Sequence, residues 1–220
     1  MRRALICFTR PPAPGRTKTR LMPLLSGDAC AALHTAFLRD IAAVCGRVDA
    51  DLYVAYAPEG DWGILRELFP AALDLFPQDG EGLGERMHRA LSRVLALGYD
   101  ACVLIGSDLP ELTEGHLAAA FAALEEADAS LGPTEDGGYY LVGLKKPCRA
   151  LFAGQAYGHE SVYENALAAI RGAGLRFRPA PPCRDVDVPE DLCRLPGTVR
   201  PDSHTARLLK ILEWEGRNDG

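Results

Sequence analysis

The stretch ACVLIGSDLPELT, Ala101 to Thr113, decides the fold. Ala101 to Ile105 form a run without a polar residue, as a central strand covered on both faces requires. Gly106, Ser107 and Asp108 break that run, and Pro110 cannot donate to a ladder. The pattern delivers a carboxylate to the carboxyl end of a buried strand. In open α/β sheets ligands bind at that edge, and a carboxylate there can hold a divalent cation against a ligand's phosphates. The plainer alternative is that Asp108 closes a turn or caps the helix that follows.

Composition sets the bounds. The chain has 220 residues, 48% of them hydrophobic, and no apolar run long enough to cross a bilayer. Residues 1–200 read as one domain, and 201–220 as a C-terminal helix with a frayed tail. The start, MRRALICFTRPPAPG, holds too short an apolar run for a secretory leader. Seven cysteines form no CxxC pair, so they read as small buried hydrophobes in a reducing cytoplasm. A net charge of −6 disfavours nucleic acid or an anionic membrane as partner.

Strand one is Ala4 to Phe8, and TRPPAPGRTKTRL follows it. Three prolines and Gly15 suppress regular structure there, while Arg10, Arg16, Lys18 and Arg20 gather positive charge. Arg forks and a Lys point charge suit a polyphosphate. A solvated basic loop is the plain alternative. Neither the P-loop GxxxxGK[ST] nor the dinucleotide GxGxxG is present.

A helix from Asp28 to Cys45, with Asp28 as N-cap, carries the stripe Leu33, Phe37, Ile41 and Val44. A strand over 51–57 and a short helix over 62–69 come next. PQDGEGLGERMHRALSRVLALG then passes from a glycine-rich turn into a second amphipathic helix. Gly80, Gly82 and Gly84 permit close backbone approach, and Gln78, Glu85 and Arg86 are candidates for ribose or base contacts. An ordinary turn before a helix is the competing reading.

After the central strand, Thr113 can cap a helix to about Glu126. GPTEDGGYYLVGL then reads as a strand, a tight loop and a strong strand from Tyr139 to Leu144. Gly137 and Gly138 leave room for an acceptor beside the backbone, and Glu135 and Asp136 could orient it or act as base. A DG-type turn with no further role is the other reading. In YGHESVYENALAAIRGAG, Ser161 and Glu164 fit a capping box, while the helix start behind Gly158 would also suit an anion. RFRPAPPCRDVDVPEDL places Asp185 and Asp187 on one side of an extended segment. Asp187 could instead cap the helix that begins near Pro189.

TRPPAPGRTKTRL, QDGEGLGERM, LIGSDLPELT, GPTEDGGYYLVGL and DVDVPEDL, in this order, resemble the DUF2064 group of glycosyltransferases. That group lies in the nucleotide-diphospho-sugar transferase (GT-A) superfamily, and the resemblance spans about residues 4–195. It implies a GT-A α/β fold, a mostly parallel sheet between helices, with Mg2+ or Mn2+ held between nucleotide phosphates and an acidic motif. Asp108 would be the metal-motif acid, and Asp185 or Asp187 the second. The resulting site has Asp108, Asp136 and Lys18 at the chemistry. Arg10, Gly15, Arg16, Lys18, Arg20, Gln78, Gly84 and Arg86 lie on the nucleotide, and Glu135, Gly137, Gly138, Gly158 and Ser161 on the acceptor side.

The basic loop, SDLP and the Gly158–Ser161 segment are also similar, more distantly, to 2-phospholactate guanylyltransferases. Four loop cations suit a triphosphate, but the GxGxRxxxxK spacing of nucleotidyltransferases is absent. The expected partners are a nucleotide or nucleotide sugar and a small-molecule acceptor. Glycosyl transfer is the first expectation, nucleotidyl transfer the alternative, and a nucleotide-binding protein without turnover a third. The C-terminal helix, about 203–215, is expected to pack either on its own domain or against a second copy in a homodimer.

Overall fold

The computed structural model describes residues 1–213. Strand β1 (Arg3–Thr9) is almost wholly buried and has parallel neighbours on both sides, β2 (Asp51–Tyr56) and β4 (Ala101–Ile105). Beyond β2 lies β3 (Asp74–Pro77), also parallel. On the other flank β6 (Tyr139–Leu144) runs antiparallel to β4 and to β5 (Ala129–Pro133), and β7 (Phe177–Pro179) closes the edge. The order is β3-β2-β1-β4-β6-β5-β7, the mostly parallel sheet expected.

Two-residue alternation sends successive strand side chains to opposite faces. Leu5, Cys7, Val54, Val103 and Ile105 meet α1 (Gly27–Cys45), α2 (Gly63–Leu68) and α4 (Glu114–Glu126). Ala4, Ile6, Cys102, Leu104 and Val142 meet α3 (Leu83–Leu95), α5 (Arg149–Phe152) and α6 (Val162–Gly172) on the other face. After β7 the chain returns across α1. There Val186, Leu192 of α7 (Pro189–Arg194) and Leu209 of α8 (His204–Ile211) bury Leu21, Leu33 and Phe37.

Helix α8 therefore packs on its own chain. Asp40 of α1 fixes its start, accepting from His204 N at 2.8 Å, Thr205 N at 2.9 Å and the Thr205 hydroxyl at 2.6 Å. The expected helical end at 215 and the tail lie outside the described residues.

Several expected caps differ. Ser26, with an extended backbone, caps α1 by accepting from Ala29 N at 3.2 Å, and Asp28 falls inside the first turn. Ser161 already has helical dihedrals, so its hydroxyl cannot reach the N3 amide; it bonds His159 Nδ1 at 2.9 Å instead of forming a capping box. Asp187 does not cap α7. Asp191 turns back and accepts from Asp187 N and Val188 N, each at 3.0 Å. β7 stops at Pro179, since Pro181 and Pro182 remove ladder donors. Six cysteines are buried, Cys193 is exposed, and no disulfide joins the described residues.

Candidate active site

The carboxyl ends of β1, β2, β3 and β4 open onto a cleft of about 720 Å³. Its walls come from the loop after β1, residues 57–60 after β2, Gln78 after β3, the start of α3, and Gly106 to Leu109 after β4. Tyr139 and Val142 of β6 and Leu104 of β4 add an apolar side.

β4 ends where Gly106 N donates to the Tyr140 carbonyl at 2.9 Å, and two residues later Asp108 O accepts from Val186 N at 2.9 Å. That second bond docks the 185–187 segment against Asp108 and brings Asp185 to the cleft wall. Asp108 Oδ1 lies 2.6 Å from Lys18 Nζ. Lys18 has a left-handed backbone (φ 53°), which turns its side chain inward until only 3% is exposed, and Nζ also donates to the Val186 carbonyl. His34 of α1, 1% exposed, stands behind, with Nδ1 3.6 Å from the same Oδ1.

The two carboxylates are poised differently. Burial pushes the Asp108 carboxyl up, but 41% of its side chain is open to the cleft, and Lys18, then His34 and Arg10, outweigh that and hold it below the usual range. Burial first, then the charges of Asp136 and Asp108, push Asp185 up to about 6. Lys18 and a backbone hydrogen bond offset only part of this, leaving Asp185 in a net negative field, the condition a bound cation relieves. Burial pushes His34 down to about 4, against the opposing pull of the Asp108 charge. Among the described residues no three His, Cys, Asp or Glu side chains form a ready-made metal cage. Asp108 and Asp185 supply hard oxygen donors of the kind Mg2+ and Mn2+ take, with further ligands to come from phosphate or water.

The first loop divides. Arg10 and Arg16 line the cleft, and neither has an ion-pair partner among the described residues. Lys18 instead neutralises Asp108, and Arg20 pairs with Asp187 outside the cleft. Gly15, at φ 68°, shapes the loop against α1, where a Cβ on Gly27 would meet Gly15 N at 2.8 Å. Gly15 does not line the cleft.

On the opposite wall, Gln78 spends both amide N–H groups on Thr9 O (2.8 Å) and Ala55 O (3.0 Å), stapling β1 to β2 where their ladder ends. Only its Oε1 is left for a ligand. Arg86 borders the cleft, with Nε on Gly80 O at 3.1 Å. Glu85 is held by Glu81 N and Arg89. Gly84 is a packing glycine: a Cβ there would meet Phe152 O at 2.6 Å and the Tyr157 hydroxyl at 2.9 Å.

The acceptor-side residues do not form one cluster. Glu135 and Asp136 border a smaller pocket of about 190 Å³ together with Asp187, and Asp185 is common to both cavities. Glu135 is paired with Arg184 at 2.7 Å and Arg194 at 3.5 Å. Asp136 Oδ1 accepts from the Thr134 hydroxyl and from Gly138 N at 3.0 Å, leaving Oδ2 unbonded. Gly137 is needed for packing, since a Cβ there would run into the Glu160 backbone. The Gly138 carbonyl accepts from Thr134 N at 3.1 Å, which closes the turn. Gly158 and Ser161 line neither cavity.

Two contributors were not legible in the sequence as site residues. His34 sits beside Leu33 in an apolar stripe and reads there as core. Glu59, in the loop after β2, lines the cleft with no motif around it.

Residues 40–159, more than half the chain, match the family described as "Uncharacterized protein conserved in bacteria (DUF2064)". The chain belongs to the DUF2064 family. This DUF2064 protein is 33% identical to a protein from Desulfovibrio desulfuricans G20, provisionally named a nucleotide-diphospho-sugar transferase, whose crystal structure superposes with a TM-score of 0.90 over 97% of this chain and 96% of that one. It is 29% identical over 190 residues to a phosphoenolpyruvate guanylyltransferase of Sphaerobacter thermophilus, covering 82% of this chain and 86% of the relative. The 4-diphosphocytidyl-2C-methyl-D-erythritol synthase of Anaerococcus prevotii, 9% identical with a TM-score of 0.59, covers 94% of this chain and 96% of its own and shares the fold alone. No helix among the described residues of the DUF2064 protein is long and apolar enough to cross a membrane.

Proposed function

We propose that this DUF2064 protein is a metal-dependent transferase that takes its donor from a nucleotide-diphosphate sugar and passes the glycosyl group to a small-molecule acceptor. A nucleotide-using transferase is what its relatives and fold have in common. The observation that carries the finer reading is the division of the first loop. Only Arg10 and Arg16 of its four cations line the cleft, opposite Asp108 and Asp185. With Lys18 and Arg20 engaged elsewhere, the loop does not bring to the cleft the four cations that would suit a triphosphate.

Asp108 and Asp185 are the residues that would hold Mg2+ or Mn2+, and the ion would supply Lewis-acid stabilisation of the departing phosphate oxygens. Arg10 and Arg16 neutralise charge on the same oxygens, and Lys18 sets the Asp108 carboxylate. The unbonded Oδ2 of Asp136 lies on the small pocket that joins the cleft at Asp185. An acceptor hydroxyl there would find Asp136 as general base. Nucleotidyl transfer from a triphosphate is the second reading, favoured by the guanylyltransferase relative.

A thermal-shift panel of nucleoside triphosphates and diphosphate sugars, each with and without Mg2+ or Mn2+, tests this. Saturating ligand at 100 times its dissociation constant stabilises by about 2.7 kcal/mol, which is several degrees for a chain of this size. The expected outcome is a metal-dependent shift with a diphosphate sugar, lost in Asp108→Asn, whose unliganded melting temperature also falls because buried Lys18 loses its charged partner, while its far-ultraviolet spectrum is kept. A shift confined to triphosphates moves the assignment to nucleotidyl transfer. Metal-dependent binding that survives Asp108→Asn overturns the site.

A further inference from the structure

His34 is a polar ring placed where the stripe of α1 calls for an apolar side chain, and it is 1% exposed. Its Nε2 lies 3.1 Å from the Arg10 carbonyl and 3.4 Å from the Thr9 hydroxyl. A carbonyl can only accept, so Nε2 carries a proton and donates it there. Nδ1 is buried without a hydrogen-bond partner and faces Asp108 Oδ1 at 3.6 Å. A buried ring nitrogen without a hydrogen-bond partner, held just beyond bonding reach of a carboxylate, needs an explanation beyond packing. Lys18 supplies part of one, because its Nζ holds the same Oδ1 at 2.6 Å.

The carboxylate is therefore gripped by Lys18 and backed by the His34 ring. With the ring behind it the carboxylate cannot sink toward α1, and 41% of the Asp108 side chain stays open to the cleft. Through Nε2 the same ring fixes the backbone of Arg10, the first residue of the loop that brings Arg16 to the cleft.

We propose that His34 is a positioning residue for the metal-holding Asp108, setting that carboxylate outward and in register with the Arg10 end of the phosphate loop. The inference rests on the metal-dependent reading above. It separates two jobs within one ring: Nε2 staples the loop and is structural, whereas Nδ1 sets the carboxylate.

Glutamine separates them. Its amide N–H reaches the Arg10 carbonyl as Nε2 does, but places nothing at the position of Nδ1. The probe is Mn2+ alone, titrated against the full chain and followed by the electron paramagnetic resonance of the free ion, with melting temperatures recorded in parallel. Ion-orienting residues behind a ligand commonly account for 10–100-fold in metal affinity, so His34→Gln and His34→Ala should each weaken Mn2+ by about tenfold or more. His34→Gln should keep the wild-type melting temperature, and Asp108→Asn should remove Mn2+ binding. Wild-type Mn2+ affinity in a folded His34→Gln variant would reduce His34 to a backbone staple and overturn the inference alone. Absence of Mn2+ binding by the wild-type chain, or binding that survives Asp108→Asn, would remove the metal reading and the inference together.

Discussion

At the scale of single residues the site is a study in unequal carboxylates. Asp108 has a buried ammonium in contact with it, whereas on Asp185 burial and the charges of Asp136 and Asp108 outweigh the weaker pull of Lys18. The folded-state pKa of Asp185, about 6, lies above its ordinary value of 3.8. Between those values the folded chain binds more protons than the unfolded one, so its stability falls as pH rises, and the full penalty stands above pH 6. Asp185→Asn removes it. After discounting for the solvent that reaches this half-buried group, the gain is about 1 kcal/mol, or roughly 2–4 °C in metal-free protein. Melting curves of wild type and variant at pH 7.5 should show that gap, and at pH 4 it should close. A gap that persists at pH 4 would mean the charge is not its origin. Asp108 was legible because a strand of five buried residues ends just before it. The aim of Lys18 was not, since nothing in RTKTR announces a left-handed backbone at its centre. His34 was hidden by its own burial, because one polar ring does not disturb the period of an apolar stripe.

At the scale of elements, the long periodic ones read directly: β1, β4, α1 and α3 carry enough buried positions for the period of two or of 3.6 to show. β3 and α5, four residues each, are too short to carry a period, and tertiary pairing makes them. The cap of α1 was read two residues away from where it falls, because the choice between Ser26 and Asp28 depends on dihedrals that composition does not set. The contact between α1 and α8 is the one most open to test. Asp40, 5% exposed, satisfies two backbone donors and a hydroxyl at the start of α8. Asp40→Ala leaves those donors buried without a partner and should cost about 2 kcal/mol. Protease should then cut near residue 200 faster than in wild type while the rest of the chain resists. A uniform loss of resistance would show that α8 and the sheet melt as one unit.

At the scale of the whole molecule, the net charge of −6 opposes any anionic ligand, so attraction must be local to the cleft, where Arg10, Arg16 and Arg86 have no ion-pair partners among the described residues. Raising salt from about 50 to 500 mM shortens the Debye length from over 10 Å to about 4 Å. It should weaken the bound nucleotide severalfold by isothermal titration, and Arg10→Ala with Arg16→Ala should flatten that dependence. Salt-insensitive binding would place the phosphates elsewhere.

The antiparallel course of β6 also bears on how the chain is made. Every other neighbour of β1 and β4 in the sheet is complete once it is synthesised, but β5 leaves the ribosome before β6 and lies outside it. From the moment Ile105 emerges, the most buried strand keeps one bare edge until Tyr139 to Leu144 arrive to cover it. At about 5–20 residues per second that is an interval of seconds in which a row of unpaired backbone groups, flanked by Val103 and Ile105, is open to any passing strand. A nascent chain paused after the DGG turn is the form of this protein most in need of a chaperone.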